Sequence, residues 1–119
     1  MEHLLFTQVK ETVVHLLRKK HELFEEAKIV LEVIENSDNC LYVLLKFQKC
    51  MAAIVGAESG YTPYRFVSFE AVDVINGSYS MVHAWYDDEG MTMEDVVKNL
   101  DEAIRIASQY CALHSPDVF

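Results

Sequence analysis

The chain has few of the residues that break or staple a fold: four glycines, two prolines and three cysteines in 119 residues. Scarce Gly and Pro exclude collagen-like and low-complexity chains, which are built from them. Three cysteines leave one over in any disulfide scheme. Cys40, Cys50 and Cys111 form neither a C-x-x-C pair nor a Cys/His cluster at metal spacing. They read as small core residues in a reducing compartment, so the cytoplasm is the expected location. No apolar run is long enough for a bilayer; Met51–Val55 is apolar but far too short. No basic stretch followed by an apolar one stands near residue 1, so neither a leader nor membrane attachment is expected. A glycine-rich phosphate loop, H-E-x-x-H, G-x-S-x-G and the D-x-[DN]-x-[DN]-G calcium pattern are all missing, and no metal or cofactor is expected.

Positive charge is also scarce. Ten Lys and Arg stand against nineteen Asp and Glu, a formal net charge of −9. Residues 1–50 carry seven basic and eight acidic side chains, whereas 51–119 carry three and eleven. Nucleic-acid binders show the opposite sign, because their affinity comes from cations meeting phosphates. The single basic run, Arg18-Lys19-Lys20-His21, reads as the solvated side of a helix. An acidic surface repels nucleic acid and anionic lipid and favours basic proteins.

What is present is ordinary domain material, 51% hydrophobic. At this length one domain, 1–119, is expected, and folding removes about two-thirds of the unfolded chain's surface. Leu5, Val9, Val13, Leu16, Leu17 and Phe24 recur at helical spacing and predict a helix from about Leu4 to Glu26. His15 and His21 lie within it and His3 and His114 near the ends; all four read as surface histidines. From Lys28 the pattern turns β-branched. The runs 28–35 and 40–47, separated by Asn36-Ser37-Asp38-Asn39, predict a hairpin. Residues 48–55 fit a helix face as well as a strand, and a strand over about 50–55 is preferred. Gly56 to Tyr64 reads as an ordered loop.

The strongest local signal is Asn76-Gly77 between two strand-like runs, 65–75 and 78–86. Asn-Gly supplies the positive-φ pair of a type I′ turn, whose twist suits a two-residue hairpin. Thr92 to Asp95 resembles a capping box, and Val96, Leu100, Ala103, Ile104 and Ala107 trace an apolar stripe to about Leu113. The expected fold is α+β: an antiparallel sheet of four to five strands flanked by an N-terminal and a C-terminal helix.

A two-residue turn at Asn76-Gly77 fixes the hairpin register. Ala71 then faces Val82, Phe69 faces Ala84 and Val67 faces Tyr86 on an apolar side destined for the helices. The other side pairs Val72 with Met81, Glu70 with His83, and Ser68 with Trp85. Glu70 and His83 in that register look like a base with its orienting carboxylate, and Ser68 would complete a Ser-His-Glu set. No sharp strand-to-helix turn presents Ser68, so the ordinary reading is a cross-strand ion pair. Tyr79, Met81 and Trp85 give the same side the content of a protein interface.

Seven acids fall within sixteen residues: Asp87, Asp88, Glu89, Glu94, Asp95, Asp101 and Glu102. Acids at a helix start oppose its dipole favourably. The excess beyond that need points to a basic partner, with Asp87, Asp88, Glu89, Glu94 and Asp95 as contact residues. The leading functional expectation is a protein-binding module that neutralises or escorts a basic partner, in the manner of an immunity protein (a toxin inhibitor) or a chaperone. A small enzyme or ligand binder using Glu70 and His83 is the alternative. A homodimer through the Tyr79–Met81–Trp85 face is compatible with either.

Overall fold

The computed structural model describes residues 6–57, 66–75, 78–88 and 90–113, with only the backbone described at 74–75 and 111–113. The elements follow as α1 (Phe6–Lys19), α2 (His21–Glu26), β1 (Val30–Asn36), β2 (Cys40–Lys46), β3 (Cys50–Ala57), β4 (Val67–Ile75), β5 (Ser78–Tyr86) and α3 (Met93–Leu113). The five strands form one antiparallel sheet whose spatial order equals the chain order. Residues 48–55, ambiguous by pattern, thus lie mostly in a strand. Tertiary pairing decides such short apolar runs.

The expected first helix is two. Lys20 interrupts it, its N–H donating to the carbonyls of both Leu16 and Leu17. α2 ends in a Schellman motif: Ile29 N–H donates to Phe24 O at 2.8 Å and Lys28 N–H to Glu25 O at 3.2 Å. Lys28 sits at φ 58°, where glycine is usual. Phe24 and Ile29, joined by that hydrogen bond, are both buried. The motif turns the chain from helix into β1.

α1 and α3 cover one face of the sheet. Val9, Val13, Leu16 and Leu17 of α1 and Val96, Leu100, Ala103, Ile104 and Ala107 of α3 join Leu41, Val43, Leu45, Ile54 and Phe69 in the core. Gly56 makes room for this layer, since a Cβ there would stand 3.3 Å from Phe6 Cε1. α3 packs mainly against β5 and meets α1 beside it. At the other edge β1 pairs with β2 and packs against the short α2, and all seven of its residues are exposed.

The register of the last hairpin departs from the expected one halfway along. Ile75 pairs with Ser78, Val74 with Tyr79 and Val72 with Met81, as a two-residue connection dictates. The turn itself, Asn76-Gly77, lies outside the described residues. Beyond Val72 a β-bulge inserts Val82 into β5, so Ala71 faces His83, Glu70 faces Ala84, Phe69 faces Trp85 and Ser68 faces Tyr86. A one-residue shift moves every later side chain to the opposite face.

Candidate partner-binding surface

The bulge separates the residues that were expected to act together. His83 now lies on the helix-covered face, its ring centroid 6.2 Å from that of buried Phe69. Glu70 stays on the open face, exposed, opposite Ala84. The two cannot form the expected cross-strand pair because the sheet lies between them. Ser68 shares the side of Glu70 but is only 2% exposed, between Val55 and Tyr86. The acid–base arrangement of Ser68, Glu70 and His83 is therefore absent.

His83 faces α3 instead. Glu102 on that helix is held below the usual carboxylate range first by the hydrogen bond from Arg105, with a smaller pull from His83. Trp85 moves with His83 and packs half-buried against the core. Tyr79 and Met81, before the bulge, remain on the open face at 77% and 53% exposure. The expected Tyr79–Met81–Trp85 face is split between the two sides of the sheet.

The acidic run is mostly engaged within the fold. Asp87 is a buried structural residue rather than a contact acid. Its Oδ1 accepts from Phe66 N–H at 2.9 Å and Val67 N–H at 3.0 Å, and its Oδ2 from Phe66 N–H at 3.2 Å. A carboxylate facing two backbone donors is satisfied in place and turned away from any partner. Asp88 accepts from Gly90 N–H at 2.8 Å. Asp95 completes the expected capping box: Thr92 N–H donates to Asp95 Oδ2 at 3.0 Å, and Asp95 N–H donates to Thr92 Oγ1 at 3.2 Å. Those bonds, the backbone one foremost, hold the Asp95 carboxyl below its usual range. Asp101 pairs with Lys20 and Glu102 with Arg105. Glu94 is exposed on the first turn of α3, and Glu89 lies outside the described residues.

The surface with the geometry of a binding site lies elsewhere, between α1–α2 and the inner side of β1. It is a groove of about 570 Å³ with apolar walls from Val14, Leu17, Phe24, Leu31, Val33 and Val43. Arg18, His21, Glu25 and Asn36 supply its polar lining, and His21 Nε2 stands 3.0 Å from Glu25 Oε1. Leu31 and Val33 point into the groove because they pair with buried Leu45 and Val43 on β2. They are still 37% and 53% exposed, because the groove between them and α1–α2 is open. The sequence carried a signal for this. Leu31, Val33 and Ile34 are apolar residues in a strand with neither Pro nor Lys, two of the residues that protect a sheet edge; its protection is limited to Glu32, Glu35 and a β-bulge between Val33 and Glu35.

Chemically, the groove offers dispersion, dehydration and a strand edge. Among the described residues, no group of three or more His, Cys, Asp or Glu side chains could hold a metal ion. Nor is any helix there long and apolar enough to cross a membrane. The arrangement defines a class, an α+β domain with one covered and one open sheet face and an apolar groove at its edge. The chain matches no protein-family model, no curated protein and no solved structure.

Proposed function

We propose that this chain is a cytoplasmic protein-binding module that neutralises or escorts a basic protein partner, as immunity proteins and chaperones do. The observation that carries the reading is the apolar groove beside an edge strand exposed along its whole length. Monomeric proteins seldom leave such an edge bare, because it recruits other chains. The net charge of −9 supports a basic partner, by complementarity and by long-range attraction. The acidic run at the start of α3 adds to that field; most of its members also cap or clamp the fold.

The test compares the immobilised chain with its Leu31→Lys/Val33→Lys variant, both exposed to an extract of the source cells. Proteins retained by the first and lost from the second are identified and their charge calculated. The reading expects a basic protein whose retention falls as salt rises. Identical retention by the two chains would refute it.

A further inference from the structure

We infer that the groove takes its partner as a sixth β-strand: an extended segment of alternating apolar and basic residues, laid along β1. This rests on the protein-binding reading and specifies its chemistry. β1 pairs with β2 and with no other strand among the described residues, so the backbone groups on its outer edge have no sheet partner there. An added strand would lie about 4.8 Å away, and its alternate side chains would point to opposite faces. One set would enter the groove beside Leu31 and Val33, where the walls are apolar. The other would stand on the open face beside Glu32 and, past a β-bulge at Ile34, Glu35, which pair with Leu44 and Tyr42 on that side of the sheet.

Charge decides what that second set is. Lys46 Nζ stands 2.6 Å from Glu32, reaching it from β2, and Glu35 accepts a hydroxyl bond from Ser37 Oγ at 3.0 Å. Both carboxylates are exposed, and a Lys or Arg across from them on an added strand gives a favourable cross-strand pair. The same geometry disfavours a second copy of this chain. Two antiparallel β1 edges would bring Glu32 and Glu35 of each copy onto one face, between bodies each carrying −9. Arg18 and Glu25 on the groove rim offset each other and the walls between are apolar, so apolar residues point in and basic ones out, toward Glu32 and Glu35.

The probes are fluorescent peptides of alternating Val and Lys, seven residues long, titrated with the full chain at low salt and read by anisotropy. One version is N-methylated at alternate residues and a second at the intervening ones. Further probes carry Glu for Lys, or the same Val and Lys content at helical spacing. The inference expects one methylation set to weaken binding at least tenfold and the other to leave it unchanged, because only one row of amides meets β1. It also expects Glu35→Lys to weaken the Val-Lys peptide and strengthen the Val-Glu peptide, each several-fold. Circular dichroism should show the variants folded, as the replaced side chains are exposed. Preference for the helical peptide, lost in Val33→Lys, would overturn strand addition and leave the protein-binding reading standing. Equal tolerance of both methylation sets would also overturn it. Self-association in sedimentation, abolished by Val33→Lys, would make a second copy the occupant and overturn it too. No peptide bound better by the native chain than by Val33→Lys would sink both the inference and the reading beneath it.

Discussion

Asp87 gives the sharpest test of how the fold uses its acids. Its carboxylate clamps the start of β4 to the end of β5, accepting from two backbone N–H groups, while Asp87 N–H donates back to Val67 O at 3.1 Å. Replacing it with Ala strands both donors. A buried unsatisfied N–H costs about 1–3 kcal/mol, with bonds to a charged acceptor at the upper end. Val67 is fully covered and Phe66 only partly, so water can relieve the second donor more than the first. The expected loss for Asp87→Ala is about 2–4 kcal/mol, or roughly 8–16 °C in Tm for a domain of this size. Asp87→Asn keeps one acceptor oxygen but turns an NH2 toward the donors, and should lose about 1–2 kcal/mol. Urea denaturation followed by circular dichroism measures both, with the slope checked for constancy. A cost below about 0.5 kcal/mol for the Ala variant, the usual range of a surface change, would refute the clamp.

Three further outcomes are expected. Lys28→Gly relieves the left-handed backbone at φ 58° and should stabilise the chain by up to about 1 kcal/mol in the same denaturation assay, whereas a loss would mean the Lys28 side chain contributes to the fold. The Asp95 carboxyl is lowered by its Thr92 bonds, so its stabilising effect is complete above the unfolded value near 4 and fades as pH falls through the lower folded value. The stability gap between native and Asp95→Asn chains should therefore shrink in acid, and a gap constant from pH 7 to pH 2 would contradict the capping role. Burial, then the Glu35 charge, pushes the Cys40 thiol up, so Glu35→Gln should speed its alkylation at pH 8, and an unchanged rate would show that the charge has no effect there.

Much of this architecture could be read from spacing. The apolar stripes of α1 and α3, the capping box at Thr92 and the change to β-branched residues near Lys28 are local signals, and apart from the break at Lys20 the elements lie close to where these patterns put them. The bulge at Val82 is not local. It turns His83 and Trp85 toward the face that α3 covers, and Asn-Gly fixes register only as far as the strand stays regular. That one inserted residue undid the Glu70–His83 site. Asp87 was misplaced for a related reason: composition shows that an acid is present but not whether a backbone donor faces it. The groove escaped because the apolar residues Leu31, Val33 and Ile34 mark an edge only once it is known that no strand lies beyond them.

Because strand order equals chain order, each strand can meet its partner as soon as it leaves the ribosome. The cover does not keep pace. Val96, Leu100, Ala103, Ile104 and Ala107 all belong to α3, which follows the whole sheet in the chain. If the sheet forms as it emerges, Phe69, His83 and Trp85 stay without their α3 cover until residues 93–113 follow and dock beside α1. For that interval the nascent chain exposes far more apolar sheet than the mature fold does. Its yield in the cell should accordingly depend on how quickly residues 93–113 are made.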